Sequence, residues 1–440
     1  MKNGRWWRLS RWLQPGIGIK RWLLLFGAGV ILAALGLAFS LNYRFVGILE
    51  ESTFRFLYEL TGSYVYTATI FFGLMAISIG ILAMLFGARK IVQAVAAALG
   101  PDGTLGIMDV LYERRKLDIG PHVVAIGGGT GLSVLLRGIK EYTNNIAAIV
   151  TVADDGGSSG RLREDLGIVA PGDLRSCLVA LADTEPIMES LFQYRFQGAG
   201  DLSGHSFGNL FLAAMIEATG GDIEKALMQS NKILRVRGNV IPSTHTPVKL
   251  VAQLADGNQI AGESKIGCSS SPIERIELDP PDVVAPDEAI KAIRKAEVII
   301  LGPGSLYTSV IPNLLVPSIV EAIRENPAPK MYICNVMTQP GETENYTALD
   351  HLRSIDEHVG SNLVDVLVVN NGMPSERLLA RYAEEGSIPV LVEQDEIEKS
   401  GVRVISADLI SREDLVRHDP QKLSKLIRRL VFHLKTWRRG

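Results

Sequence analysis

The chain of 440 residues carries 45 Lys and Arg against 48 Asp and Glu, a formal net charge of −3, and 47% of its residues are apolar. This apolar content excludes an intrinsically disordered chain, and three widely spaced cysteines exclude a disulfide framework or a zinc ribbon. The first 90 residues hold ten basic and three acidic residues, or +7, so the remaining 350 carry −10. An acidic globular part argues against a nucleic-acid partner, because duplex binding neutralises phosphates with Lys and Arg.

Two uncharged apolar runs occupy residues 22–41 and 64–86. At about 1.5 Å per residue, helices of these lengths cross a hydrocarbon core of about 30 Å. A cleaved signal peptide is the alternative for the first run, but a clear small-residue cleavage site is missing and a second span follows. Residues 1–90 are therefore predicted to be a membrane anchor with two transmembrane helices.

The positions of the basic residues predict the orientation of this anchor. Six basic residues precede the first span and Arg89 and Lys90 follow the second, whereas the connector 42–63 has two basic and three acidic residues. Since cytoplasmic flanks are rich in Lys and Arg, both termini are predicted to be cytoplasmic, with the main domain at the inner face of the membrane. Residues 91–120 are typical of a linker between the anchor and that domain.

From residue 121 to residue 440, short β-branched runs alternate with helical stretches. The predicted strands are 123–126, 148–152, 298–301, 331–335, 366–370, 390–392 and 402–405. Continuous apolar strands separated by helices predict an α/β fold with a Rossmann-like, doubly wound, mainly parallel sheet. Residues 248–265 instead alternate apolar and polar residues around Asp256-Gly257-Asn258, which predicts a β-hairpin.

A glycine-rich turn follows the first predicted strand and opens a helix. Glycines let the backbone approach a ligand, and a helix N-terminus offers N–H groups and a positive dipole end to an anion such as phosphate. The pattern is neither GxGxxG nor a Walker loop, and a structural turn without a ligand is the alternative. The candidate binding residues here are Gly127, Gly128, Gly129, Thr130 and Gly131.

A second polar turn follows the next strand. Asp154 lies 25 residues after Gly129, roughly where a doubly wound fold places the carboxylate that binds ribose hydroxyls. Asp154 and Asp155 could instead hold a divalent cation, and a solvated turn is the third alternative. The other candidates in this turn are Gly156, Gly157, Ser158, Ser159 and Arg161, and Asp173 and Arg175 follow, with a helix cap by Asp173 as the alternative.

Three further groups of residues complete the candidate site. His205 and Asn209 open an apolar helix, where Ser206 is an alternative cap. Gly302, Gly304 and Ser305 follow another predicted strand, where a second phosphate or sugar loop is expected. Asn371, Tyr382 and Arg417 suit a base and phosphates, although surface salt bridges explain such isolated residues equally well. The HExxH motif of metal-dependent hydrolysis does not occur.

Several long blocks, among them VVAIGGGTGLSVLLRGIK, IVTVADDGGSSGRLRE, LSGHSFGNLFLAAM and GPGSLYTSVIPNLLV, resemble the gluconeogenesis-factor (YvcK-like) family. That family is similar to 2-phospho-L-lactate transferase and shares its CofD-like fold. The resemblance implies binding of UDP-sugars such as UDP-N-acetylglucosamine at the loops named above, with Tyr382 and Arg417 as outer contacts. It also implies a role in cell shape and in growth on gluconeogenic carbon sources.

The predicted function is therefore a UDP-sugar-binding regulator anchored at the inner membrane face. The alternative implied by the resemblance is a transferase of phosphorus-containing groups, which uses a nucleoside-diphosphate-linked donor and Mg²⁺ bound by Asp154 and Asp155. A homodimer is expected because parallel-sheet domains of this kind often pair through helices. The membrane hairpin lies outside the pattern of the family, whose typical members resemble soluble proteins.

Overall fold

The computed structural model describes residues 30, 34, 44–61, 115–183, 186–269, 271–411 and 415–437. The chain divides into two compact units, Met1–Arg115 and Lys116–Gly440. In the first unit, helix α1 (Arg44–Thr61) occupies most of the predicted connector and carries an exposed ion pair of 3.2 Å between Arg55 and Glu51.

The two predicted membrane spans cannot be compared with the structure. Apart from Val30 and Ala34, residues 22–41 lie outside the described part of the chain, and so do all of residues 64–86. Among the residues that are described, no single helix is long and apolar enough to cross a membrane.

The described part of the second unit contains ten strands. They are β1 (Val123–Gly127), β2 (Ile146–Val150), β3 (Asn239–Pro242), β4 (Lys249–Leu254), β5 (Gln259–Ala261), β6 (Ile273–Asp279), β7 (Val298–Leu301), β8 (Lys330–Ile333), β9 (Val366–Asn370) and β10 (Arg403–Ala407). Seven of them form one sheet in the order β10-β9-β8-β7-β1-β2-β3, and every neighbouring pair in it is parallel.

Helices connect and cover these strands. They are α2 (Gly129–Ile139), α3 (Gly157–Leu166), α4 (Pro171–Leu181), α5 (Pro186–Gln193), α6 (Phe207–Ala218), α7 (Ile223–Leu234), α8 (Glu263–Ile266), α9 (Asp287–Lys295), a π-helix (Leu306–Val310), α10 (Ile311–Leu314), α11 (Pro317–Glu325), α12 (Ala348–Val359), α13 (Glu376–Glu384), α14 (Gln394–Lys399) and α15 (Pro420–Trp437).

The predicted α/β fold with a parallel sheet is confirmed. All residues of β1, β2 and β7 are buried, as expected for strands that are covered on both faces. The interior strand β1 pairs with two neighbours, so that Val123 lies beside Ile146 on one side and beside Val298 on the other. The hydrophobic core therefore surrounds the middle of the sheet.

Two details of the strand prediction were wrong. Residues 390–392 do not form a strand: Pro389 makes only an isolated bridge to Met337, and β10 occupies the place beside β9 where another strand would pair. The short strand β3, which ends in Pro242, was missed because four residues give little periodicity. The predicted hairpin is confirmed as β4 and β5, and β6 adds a third antiparallel strand to it.

Asn313 connects the π-helix region to the end of β1. Its buried Nδ2 donates to the carbonyl oxygens of Gly127 (3.1 Å) and Ser309 (2.7 Å). We expect Asn313→Ala to lower the unfolding free energy by about 2 kcal/mol, because it removes two buried hydrogen bonds, although the carbonyl of Gly127 still accepts from the N–H of Thr151. Urea unfolding followed by circular dichroism tests this, with Asn239→Ala as the control since its bond to Glu288 is exposed. An equal loss in both variants would contradict the expectation.

Candidate functional site

The strand order changes direction between β1 and β7. The chain leaves β1 toward β2 and β3 on one side, and leaves β7 toward β8, β9 and β10 on the other. In open α/β sheets, ligands bind in the crevice outside the carboxyl ends of the strands at such a switch point. Two predicted binding segments flank it: the β1 loop (residues 127–131) and the β7 loop (residues 302–305).

The backbones of the β1 loop and the β7 loop approach each other closely. A Cβ placed on Gly131 would lie 2.5 Å from the carbonyl oxygen of Pro303, and one on Gly304 would lie 3.4 Å from the carbonyl oxygen of Gly128. Such spacing requires glycine at position 131, because a side chain there would push against backbone atoms. The glycines of this pair of loops therefore allow contact between two binding segments that are far apart in sequence.

Several helices begin at this edge of the sheet. α2 starts in the β1 loop, α3 starts seven residues after β2, and the π-helix starts directly after the β7 loop. The first N–H groups of a helix have no partner within the helix and lie at the positive end of its dipole. These N–H groups are the feature for which the sequence predicts an anionic ligand at this edge, and the binding of such a ligand stays a prediction.

Asp154 and Asp155 form hydrogen bonds with different elements. Asp154 Oδ1 accepts from the N–H of Gly156 at 2.8 Å, whereas Asp155 Oδ1 accepts from the N–H of Ser264 at 2.9 Å, at the start of α8. Within the described ranges, no group of three or more His, Cys, Asp or Glu side chains is arranged to hold a metal ion. A Mg²⁺ ion at these residues would need water and ligand phosphate oxygens for most of its coordination.

Asp173 lies in the first turn of α4 and faces the β1 loop. The N-cap of α4 is Ala170, so the alternative role of Asp173 as a helix cap is wrong. Burial and the nearby carboxylate of Asp154 raise the pKa of Asp173 to about 7, although a hydrogen bond from the N–H of Gly129 and the charge of Arg175 oppose this. Asp173 therefore joins the polar turn after β2 to the β1 loop.

A buried polar cluster lies between α3 and α6. Ser158 Oγ is 3.0 Å from Nδ1 of His205, and Asn209 Nδ2 donates to Ser158 Oγ at 3.0 Å. Asn209 Nδ2 also lies 3.4 Å from Ser159 Oγ, and its Oδ1 is buried without a partner. Ser158 is only 3% exposed, so its hydroxyl is poorly placed to attack a substrate. The cluster instead positions the predicted residues of the two helices against each other.

Ser206 links the same region to α4. Its Oγ accepts the N–H of Asn209 at 3.2 Å and thereby caps α6, as the alternative reading of this residue predicted. Nη1 of Arg175 donates to the same oxygen, also at 3.2 Å. The exposed Arg161 donates to the carbonyl of Ser203 at 2.6 Å. The predicted residues up to Asn209 thus form one connected region with the β7 loop.

Asn371, Tyr382 and Arg417 lie elsewhere. The N–H of Asn371 donates to Ala407 O at the end of β10, and the Tyr382 hydroxyl accepts from the N–H of Val416. Tyr382 packs on a small separate apolar cluster, formed by Val336, Met337, Ile410 and Val416 with Leu378 and Leu379. The exposed Arg417 neighbours this cluster in sequence. Asn371 thus lies directly after β9, at the carboxyl edge of the parallel sheet, and the binding role of all three residues stays a prediction.

Two acidic residues at the site were missed by the sequence analysis. Glu263 is the first residue of α8, and Glu342 lies in the loop after β8, where its Oε1 accepts from Oγ1 of Thr308 at 3.2 Å. Burial is the main cause that raises the pKa of Glu263 to about 9 and that of Glu342 to about 7. Glu263 follows β5 of the small antiparallel sheet and Glu342 lies nine residues after β8, so neither directly follows a strand of the parallel sheet, where the sequence analysis placed the candidate site.

A doubly wound α/β sheet with glycine loops and helix N-termini at its switch point defines the Rossmann-like class of α/β protein. The family model of 2-phospho-L-lactate transferase CofD matches residues 123–410. A gluconeogenesis factor of Halalkalibacterium halodurans is 50% identical over 307 residues, which covers 70% of this chain and 95% of the relative. The chain therefore belongs to the CofD family and, within it, to the gluconeogenesis factors.

Other comparisons agree with this assignment. A Nostoc sp. protein whose gluconeogenesis-factor name is provisional is 47% identical over 423 residues, 95% of this chain and 91% of the relative. The crystal structure of a UPF0052 family member from Bacillus halodurans has a TM-score of 0.68 and 50% identity, covering 70% of this chain and 98% of its own.

Proposed function

We propose that this chain is a UDP-sugar-binding regulator of cell shape and carbon metabolism that an N-terminal membrane hairpin holds at the inner face of the cytoplasmic membrane. The ligand is UDP-N-acetylglucosamine or a close analogue. The observation that carries the proposal is the contact between the β1 loop and the β7 loop at the switch point, where a diphosphate finds two glycine backbones and the N-termini of α2 and the π-helix.

The arrangement of polar groups around these loops supports a binding role. His205, Asn209 and Ser159 belong to the buried cluster that supports these loops, and Arg161 and Arg175 offer guanidinium groups that suit phosphate oxygens. Because Ser158 is buried, the Ser158–His205 contact does not present an accessible nucleophile. A regulator that only binds and releases its ligand requires no nucleophile.

The membrane location has separate support. The +7 charge of residues 1–90 is arranged for two spans with cytoplasmic ends, and the Nostoc sp. relative aligns with 95% of this chain, so it shares most of this N-terminal region. Anchoring would place the acidic second unit beside the membrane surface, where lipid-linked wall precursors are assembled. A homodimer and the outer contacts at Tyr382 and Arg417 belong to the same proposal.

Isothermal titration of the full chain with UDP-N-acetylglucosamine tests the proposal. We expect saturable heat with one site per chain, and a weaker response to UMP, which lacks the diphosphate. The absence of heat with millimolar UDP-N-acetylglucosamine would contradict the proposal.

Phosphotransfer is the second candidate, because the matching family model is that of a transferase. The chain would then use Asp154 and Asp155 with ligand phosphates to hold Mg²⁺ and so neutralise charge on the diphosphate. Its signature would be metal-dependent release of a nucleoside monophosphate from an acyl-diphosphate donor. The alcohol of a deazaflavin would accept the remaining phosphoryl group.

A further inference from the structure

Glu263 and Glu342 each present a carboxyl oxygen that lacks a partner. Oε2 of both residues is buried and makes no hydrogen bond. Glu342 as a whole is only 9% exposed. A buried acceptor that lacks a donor costs about 1–3 kcal/mol, so native proteins rarely keep one without a role. Their hydrogen-bonding partners are therefore groups outside the chain, either water or a ligand.

The position of Glu342 is fixed by the segment that follows the β7 loop. Thr308 Oγ1 donates to Glu342 Oε1 at 3.2 Å, and the backbone N–H groups of Tyr307 and Thr308 also bond to this carboxyl group. These contacts hold one side of the carboxyl group against the π-helix. Oε2 of Glu342 has no hydrogen bond within the chain, and the contacts of the rest of the carboxyl group fix its position.

The position of Glu263 is fixed from the opposite side of the site. Asp155 Oδ1 accepts the N–H of Ser264 at 2.9 Å, and Gly262 is packed against the same carboxylate. The start of α8 is thus held against the turn that follows β2. A Cβ on Gly341, next to Glu342, would overlap the carbonyl oxygen of Gly267 at the end of α8, so the segments that carry Glu342 and Glu263 lie against each other.

The charged groups that face Glu263 restrict what can bind there. They are the carboxyl groups of Asp154, Asp155, Asp173 and Glu342, and each acts to raise the pKa of Glu263. An anionic group of a ligand would be repelled by this set. A metal ion finds no group of three ligating side chains among the described residues. Neutral donors, such as hydroxyl and amide N–H groups, fit the two acceptors.

We infer that Glu263 and Glu342 form the subsite for the sugar of the nucleotide-sugar, in which their Oε2 atoms accept hydrogen bonds from ring hydroxyl or acetamido N–H groups. This inference rests on the proposed function, and it assigns the diphosphate to the glycine loops and the neutral sugar to the acidic side of the site. A hydroxyl pair on a sugar ring is a suitable partner, since carboxyl oxygens are strong acceptors. The two glutamates then determine which sugar is bound.

The test compares two ligands on the full chain at constant Mg²⁺. UDP-N-acetylglucosamine and UDP are titrated into the wild type, Glu263→Ala, Glu342→Ala and the control Glu274→Ala, which removes an exposed carboxylate from β6. Loss of a hydrogen bond to a buried carboxyl group corresponds to roughly tenfold in affinity. We therefore expect each site variant to lose about tenfold for the UDP-sugar, with UDP affinity changed less than about twofold, and the control to match the wild type.

The outcomes separate this inference from the proposed function. UDP binding by a variant shows that the site is still folded, so a selective loss of the UDP-sugar supports the subsite. Variants that keep the wild-type ratio of UDP-sugar to UDP affinity, or that lose both ligands equally, would overturn the subsite alone. A wild-type chain that binds neither ligand would overturn the proposed function and this inference with it.

Discussion

Gly131→Ala is expected to weaken UDP-N-acetylglucosamine binding by roughly 10–100-fold, because a displacement of about 1 Å in a binding loop has effects of this size. The added Cβ would lie 2.5 Å from the carbonyl oxygen of Pro303, 2.8 Å from its carbonyl carbon and 3.0 Å from Cα of Gly304. All three are backbone atoms, so the clash cannot be relieved by a side-chain rotation. The β1 loop and the β7 loop must move apart, which also costs about 1–3 kcal/mol of stability. Isothermal titration measures the first effect and urea unfolding the second.

Gly200→Ala is the matched control for this change. A Cβ at Gly200 meets no atom within 4 Å, so the same substitution introduces no clash there. We expect this variant to bind and unfold like the wild type. If Gly131→Ala also binds like the wild type, the contact between the two loops does not shape the ligand site.

Asp173→Asn is expected to make the chain relatively more stable as the pH rises from 5 to 8. The pKa of Asp173 is raised from 3.8 to about 7, mainly by burial and then by Asp154. Between these values the folded chain keeps a proton that the unfolded chain releases, so the unfolding free energy of the wild type falls as the pH rises through this window. Asparagine does not ionise, and its Oδ1 can still accept the N–H of Gly129.

The expected difference between Asp173→Asn and the wild type changes by about 3 kcal/mol across this range, since two pKa units correspond to about 2.7 kcal/mol. Glu263 and Glu342 make the unfolding free energy of both proteins fall further as the pH rises, because their pKa values are raised from 4.5 to about 9 and about 7. Urea unfolding at pH 5, 6, 7 and 8 measures these slopes. If the unfolding free energy of the two proteins changes equally with pH, Asp173 has the same pKa in the folded and the unfolded chain.

The strands of the central sheet were predictable because their side chains are buried on both faces. Residues 298–301 and 366–370 are uninterrupted apolar runs that end in a polar or glycine-rich turn, and the structure has strands with these bounds. The run 390–392 has the same composition, yet Leu391 is 64% exposed and the neighbouring place in the sheet is filled by β10. Composition alone does not show which apolar runs form paired strands of the sheet.

The candidate site was predictable only where its residues follow a strand of the parallel sheet. The β1 loop, Asp154 and the β7 loop do so, and the carboxyl ends of parallel strands meet at one edge. Glu263 and Glu342 are brought there by α8 and by the loop after β8, so their place depends on tertiary packing that leaves no local pattern. The same reason separates Tyr382 from this edge, since its ring packs on a second apolar cluster beyond β8.

A crystal structure of the chain with UDP-N-acetylglucosamine tests the central claim most directly. We predict that the diphosphate lies between the β1 loop and the β7 loop, against the first turn of α2, with the sugar beside Glu263 and Glu342. A diphosphate bound away from both loops, for example beside Tyr382 and Arg417 alone or in the cavity of about 470 Å³ between α12 and α14, would contradict this assignment.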